Sequence, residues 1–207
     1  MAIAGEPWVL AIDIGTSSTR AILFDARGQV VDDLAAQRAN QMNTTPDGGA
    51  VFEAGALVDG AAAVIDELLA RAGSRATAIG AVAMDTLVGN VLGVDQEGKP
   101  VTPVFTYADT RNAADAQALR HELGPDGSAA AHDRTGCLIH TSYLPARFRW
   151  LARAERRWFD AAARWVSIGE YLYHCLFGEW RVSYSVASWS GLLNRRELSW
   201  DAAWLER

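Results

Sequence analysis

Only two cysteines, Cys137 and Cys175, occur in this 207-residue chain. That is too few for a disulfide framework, and they lack metal-ligand spacing, so buried free thiols in a reducing compartment are expected. No apolar run approaches the roughly 18 residues of a membrane span, and no basic stretch precedes an apolar core at the start. Neither a transmembrane helix nor a signal peptide is therefore expected, and the expected location is cytoplasmic. Positive charge is also scarce: 19 Lys and Arg against 25 Asp and Glu leave a formal charge of -6. That balance argues against a general nucleic-acid or anionic-membrane surface, so any bound anion must be held locally. The four histidines do not converge on a metal site by spacing, since His121 and His132 are separated by a loop while His140 and His174 stand alone. The opening stretch holds neither the GxxxxGK[ST] nor the GxGxxG phosphate pattern. Internal repeats, low-complexity tracts and obvious linkers are missing as well.

What is present starts with the run Leu10-Ala11-Ile12-Asp13-Ile14-Gly15-Thr16-Ser17-Ser18-Thr19-Arg20. Val9 to Ile14 suits a buried strand that delivers one acid, Asp13, near its end. A carboxylate there needs a partner, and magnesium, which takes oxygen ligands and is completed by phosphates, fits. Gly15 can adopt positive φ and admits an anion close to backbone N–H groups, and Thr16, Ser17, Ser18 and Thr19 add hydroxyls. Ala21 to Phe24 is apolar again, so the turn joins antiparallel strands, with Gln29 to Ala36 as a third after the Asp25–Gly28 turn. The bland reading is an ordinary hairpin with a solvated Asp.

Half of the residues are hydrophobic, enough for one large domain. Asn40 to Gly49 is the best loop candidate. Ala56 to Ala72 carries Val64, Ile65, Leu68 and Leu69 on one face and ends before Gly73, which predicts an amphipathic helix. Ala78 to Met84 reads as a buried strand and Asn90 to Val94 as another. Helices are expected over Thr110 to Glu122, Leu144 to Ala154 and Ile168 to Phe177. The pattern by itself gives an α/β fold.

In α/β sheets ligands gather at the carboxyl ends of strands, so Asp85, Thr86, Val88, Gly89 and Asn90 are candidates to face the same cleft as Asp13. Asp85 has two readings, a hydroxyl or magnesium ligand and a turn cap. Asp109 or Thr110 is placed to cap the following helix, with Arg111 solvated. The arginines from Arg147 to Arg164, interleaved with aromatics, read as a solvated face around core-facing Phe148, Leu151, Trp158 and Trp165. Trp189 and Trp200 are expected to pack, and His140 to be partly buried and structural.

The Asp13-Ile14-Gly15-Thr16-Ser17 strand end resembles that of the FGGY carbohydrate kinases. So do further segments in order. These are Leu92 to Pro100 with Thr106-Tyr107-Ala108-Asp109-Thr110-Arg111; Arg134-Thr135-Gly136 with Trp150; Ile168 to Leu172 with Leu176-Phe177-Gly178; and Ser185 to Ser188 with Leu198-Ser199-Trp200-Asp201. The likeness is nearest to the gluconate kinase and xylulose kinase branch. Three departures stand out: Val88-Gly89-Asn90 lacks the family's His, Tyr107 replaces a Trp, and Ser183 replaces an Asp.

The resemblance implies a ribonuclease H-like, actin-like ATPase domain forming the N-terminal half of a two-domain kinase. Residues 1–207 would lack the last segment of that domain and the whole C-terminal domain. It implies ATP and Mg2+ as cofactors, and transfer of the γ-phosphoryl group to a hydroxyl of a sugar, sugar acid or polyol. Asp13 falls on the magnesium side, and Gly15, Thr16, Ser17 and Thr19 in the phosphate loop. Asp85, Thr86, Val88, Gly89, Asn90, Asp109 and Ser142 fall on the substrate side, and the catalytic base beyond Arg207. The chain alone is expected to be inactive, to expose apolar surface and to self-associate. The alternative is a non-catalytic ligand- or partner-binding remnant.

Overall fold

The computed structural model describes residues 6–207. The chain runs β1 (Trp8–Ile14), β2 (Ser18–Phe24), β3 (Val30–Ala39), β4 (Asn43–Thr44), β5 (Ala50–Phe52) and α1 (Ala54–Ala72). A 3-10 turn, Gly73–Ala78, leads to β6 (Ile79–Thr86), β7 (Leu92–Val94) and β8 (Val104–Phe105). Then follow α2 (Ala113–Thr135), α3 (Leu144–Ala154), α4 (Arg156–Ala161), β9 (Arg164–Val166) and α5 (Ile168–Phe177). The last elements are α6 (Tyr184–Ser188), β10 (Leu193–Asn194), β11 (Ser199–Trp200) and α7 (Ala202–Leu205). Contacts divide the chain into two compact units, one built from residues up to Met42 with Gly55–Leu87, the other from Asn43–Ala54 with Val88–Arg207.

The first unit is a four-stranded sheet of order β3-β2-β1-β6, with β1 antiparallel to β2, β2 antiparallel to β3 and β1 parallel to β6. The expected hairpin is there, and β3 runs further than the pattern gave. Strand alternation decides which face is covered: Trp8, Leu10, Ile12 and Ile14 are buried, while the residues between them are half-buried. Helix α1 buries Leu57, Ala61, Val64, Leu68 and Ala72, a stripe at helical spacing. Its outer edge reaches β3, where Glu67 pairs with Arg38 at 3.3 Å and Arg71 donates to the Ala35 carbonyl.

Strand β6 departs from expectation. Its run Ile79-Gly80-Ala81-Val82-Ala83-Met84 has the continuous apolar character of a buried parallel strand. Yet Val82 is 62% and Met84 38% exposed. The reason is its position: β6 ends the sheet and, among the described residues, pairs only with β1.

The second unit contains the sheets β4-β5-β8, β7-β9 and β10-β11. Its packing centres on Val91, Phe105, Trp150 and Leu151, with Phe105 edge-on to Trp150 at 5.8 Å and to Trp158 at 5.7 Å. Helices α3 and α5 lie where periodicity predicts. A capping box starts α5: Ser167 Oγ accepts the Glu170 N–H and the Glu170 carboxylate accepts the Ser167 N–H. Helix α2 starts later and runs longer than expected. It is broken at Gly124, whose φ of 65° permits the turn, and Pro125 restarts the helix without needing a donor.

Four side-chain readings change. Arg147 is buried rather than solvated, Trp165 lies on a strand rather than a helical stripe, Trp189 and Trp200 are substantially exposed, and Cys175 is exposed while Cys137 alone is buried. Arg147 is drawn inward by Asp109, 38 residues earlier in the chain.

Candidate functional site

In the first unit, β1 carries Asp13 to the strand end and the chain turns at once into β2. The turn is closed by the Gly15 N–H donating to the Ser18 carbonyl at 2.9 Å. Gly15 does not use the positive φ expected of it; its need is space, since a Cβ there would sit 3.2 Å from the Ser18 carbonyl oxygen. Thr16 is half-buried and Ser17 exposed. Thr19 is fully buried and its hydroxyl donates to Asn40 Oδ1 at 3.0 Å. Asn40 in turn donates to the Gly15 carbonyl at 2.8 Å, and its backbone N–H to the Ser17 carbonyl at 2.9 Å. Thr19 thus braces the loop from beneath instead of facing an anion. Asn40 is the residue that sequence reasoning missed, because its partners lie 21 and 25 residues away.

Asp13 stands half-exposed, 3.9 Å from the Arg20 guanidinium, a distance and exposure at which an ion pair contributes little. Parallel pairing sets Asp85 opposite Asp13 and Thr86 opposite Ile14. Asp85 is exposed, and its Oδ1 accepts the N–H of the next residue, Thr86, at 2.9 Å. Among the described residues no group of three His, Cys, Asp or Glu gathers as a metal centre. One exposed carboxylate beside an open hydroxyl turn suits magnesium, which keeps several waters and relies on phosphate oxygens. The residues present therefore fit a magnesium–nucleotide complex.

Val88, Gly89, Asn90, Asp109 and Ser142 belong to the second unit. Asp109 is completely buried. Its Oδ1 accepts from Arg147 at 2.9 Å, its Oδ2 from Arg111 at 2.5 Å, and Oδ2 also takes the Ala50 N–H at 3.2 Å. Burial pushes the Asp109 carboxyl upward, but the Arg111 hydrogen bonds and the Arg147 charge outweigh it and hold the group below the usual aspartate range. Arg147 lies against the Phe105 and Trp150 rings, with its guanidinium carbon 5.5 and 5.3 Å from their centroids. Asp109 is thus the hub of an ion cluster and not the cap of α2. Asn90 is likewise committed, its Oδ1 accepting the Ile168 N–H at the start of α5 at 2.7 Å.

This unit's candidate surface is formed by exposed Val88 and Tyr107 with half-buried Gly89 and Ser142. Gly89 has φ +58°, and a Cβ there would lie 3.1 Å from Tyr107 Cβ and 3.4 Å from the Ser142 carbonyl oxygen. Ser142 Oγ donates to the Tyr107 carbonyl at 3.3 Å and lies 3.1 Å from His140 Nδ1. His140, expected to be structural and partly buried, is exposed beside them.

The sequence profile of the FGGY family of carbohydrate kinases, N-terminal domain, matches residues 8–207. Gluconokinase of Bacillus subtilis is 29% identical over 196 residues, covering 94% of this chain and 36% of that protein. Xylulose kinase of Streptomyces coelicolor is 30% identical over 156 residues, 75% of this chain and 30% of that one. Among solved structures, xylulose kinase from Rhodospirillum rubrum superposes with a TM-score of 0.89 at 28% identity, covering 96% of this chain and 40% of that chain. Gluconate kinase from Lactobacillus acidophilus gives 0.87 at 22% identity and 96% of this chain against 39% of that one, and it speaks for the fold alone. The fold is the ribonuclease H-like, actin-like one. The chain spans well under half the length of these relatives.

Proposed function

Because the chain belongs to the FGGY family of carbohydrate kinases, we propose that it is the N-terminal part of an ATP-dependent kinase that phosphorylates a hydroxyl of a sugar, sugar acid or polyol. The observation that carries the reading is the half-exposed Asp13 at the end of β1, next to the open Gly15-Thr16-Ser17 turn that Asn40 holds in place. Asp13 would hold magnesium, and the N–H and hydroxyl groups of the turn would receive phosphate oxygens. A bound Mg–ATP would supply the phosphoryl group and the charge neutralisation that its transfer requires. The chain's own contribution is positioning: Thr19 and Asn40 keep the turn in shape, and Asp85 and Thr86 extend the same strand ends.

On the substrate side, Val88, Gly89 and Ser142 contact the sugar, with Tyr107 presenting a ring beside them. Asp109 acts through Arg111 and Arg147, and Asn90 through the start of α5, as positioning residues. The catalytic base and the rest of the nucleotide pocket are assigned to polypeptide beyond Arg207, which the greater length of the relatives supports. The protein works in the cytoplasm in this reading.

A coupled phosphorylation assay tests it, run with sugars, sugar acids and polyols on the 207-residue chain and on the polypeptide extended by its downstream reading frame. Turnover is expected only from the extended protein and is expected to drop with Asp13→Asn. Robust turnover by the 207-residue chain alone would overturn the division of labour. An extended protein inert toward every acceptor would overturn the kinase reading in favour of a non-catalytic remnant.

A further inference from the structure

We propose that His140 is an additional substrate contact, presenting its Nε2–H to an uncharged hydroxyl of the acceptor at the Gly89–Tyr107–Ser142 surface. The proposal rests on the substrate-side reading above and sharpens it from a surface to a hydrogen-bond pattern.

The tautomer of His140 follows from its neighbours. The backbone N–H of Ser142 points at His140 Nδ1 at 3.2 Å. A backbone N–H only donates, so Nδ1 must accept and the proton of the neutral ring sits on Nε2. Ser142 Oγ has one hydrogen and two near acceptors, Nδ1 at 3.1 Å and the Tyr107 carbonyl at 3.3 Å. Donation to either acceptor leaves Ser142 Oγ with lone pairs free to accept from a ligand. Among the described residues no partner takes up Nε2, and the His140 side chain is exposed.

The segment is held from behind. The Tyr143 N–H donates to the His140 carbonyl at 3.2 Å, closing a turn, and buried Asn112 donates from Nδ2 to the Thr141 carbonyl at 2.9 Å. The surface therefore offers a fixed donor, His140 Nε2–H, next to a fixed acceptor, Ser142 Oγ. A hydroxyl both donates and accepts, so adjacent hydroxyls of a polyol match this pair. A carboxylate matches it poorly, because the guanidiniums of Arg111 and Arg147 are committed to Asp109.

The test uses the 207-residue chain labelled with 15N, first to read the His140 tautomer from its imidazole nitrogens, then in titrations with glycerol, xylitol and gluconate. The Nε2–H form is expected in the free protein. Adding glycerol or xylitol is expected to shift the His140 Nε2 resonance together with the Gly89 and Ser142 amides. His140→Ala should weaken the apparent Kd about tenfold, the loss of one good hydrogen bond, and His140→Gln should restore part of it. An Nδ1–H tautomer overturns the proposal. So do Gly89 and Ser142 amides that respond while His140 stays still and His140→Ala binds as well as the parent; that outcome leaves the substrate surface standing. If none of these signals responds to any of the three compounds, the substrate-side reading falls and the proposal with it.

Discussion

The Arg147 guanidinium donates to Asp109 twice, to Oδ1 at 2.9 Å and to the backbone carbonyl at 2.6 Å, and both side chains are almost wholly out of water. A buried pair of this kind is costly to break from one side, because the survivor keeps its desolvation cost without its partner. Asp109→Asn is expected to destabilise the protein by about 3–5 kcal/mol. The double variant Asp109→Asn with Arg147→Met should cost less than Asp109→Asn alone, because it removes the more deeply buried stranded charge while the amide still accepts from the Ala50 N–H. Urea unfolding of the three proteins checks this, and a double variant as unstable as the single one would contradict it.

The same pair sets a pH dependence. The folded Asp109 carboxyl lies below its ordinary value of 3.8. Its contribution is therefore complete above the unfolded aspartate pKa and is lost as pH falls through the folded value. Stability of the parent should drop on acidification below about pH 4, near the unfolded aspartate value. Asp109→Asn should lose less over that interval, so the gap between the two proteins narrows; a gap independent of pH would count against the assignment.

Thr19→Val keeps the shape of a buried side chain but leaves Asn40 Oδ1 without its hydroxyl donor. Leaving such a group unsatisfied is expected to cost about 1–3 kcal/mol. Amide exchange at Gly15 to Ser18 should speed up more than exchange in β2, which separates loosening of the loop from global unfolding.

Gly15→Ala places a Cβ 3.2 Å from a backbone oxygen that cannot swing aside. The turn must give by a few tenths of an ångström to admit it. In the extended kinase a several-fold rise in KM for Mg–ATP is expected, with KM for the acceptor little changed, and steady-state kinetics with each substrate varied in turn would show it.

The uncovered apolar edge of β6 is an invitation to pair with another chain. Val82 projects into solvent, 62% exposed, so Val82→Lys should leave stability within about 0.5 kcal/mol, as for other surface changes. It should also lower self-association of the 207-residue chain. Sedimentation velocity at several concentrations measures the effect, and unchanged association would locate the contact elsewhere.

Much of the fold was legible because local patterns agreed with their setting. The alternation of β1, the apolar stripe of α1 and the Ser167–Glu170 capping pair with Gly178 behind it each name an element and its limits. Residue order also places Asp13 and the hydroxyl turn at a strand end, and the run of family-like segments by itself points to the kinase family. The boundaries of α2 were less legible, since Gly124-Pro125 reads as an end when the chain in fact turns there and continues as helix.

Tertiary structure decided everything that depends on partners far along the chain. Thr19 looks like a phosphate ligand until Asn40 arrives from another strand end to claim its hydroxyl. Asp109 looks like a helix cap until Arg147, 38 residues on, reaches it through an aromatic cluster. His140 looks structural until the Tyr107 carbonyl, 35 residues before Ser142, anchors that serine next to an exposed imidazole. The sequence by itself determined which elements form and which chemistry is available, because periodicity and motif are local properties. Burial and hydrogen-bond commitment belong to pairs brought together by folding, and those alone divide the residues that brace the site from the ones left to touch a ligand.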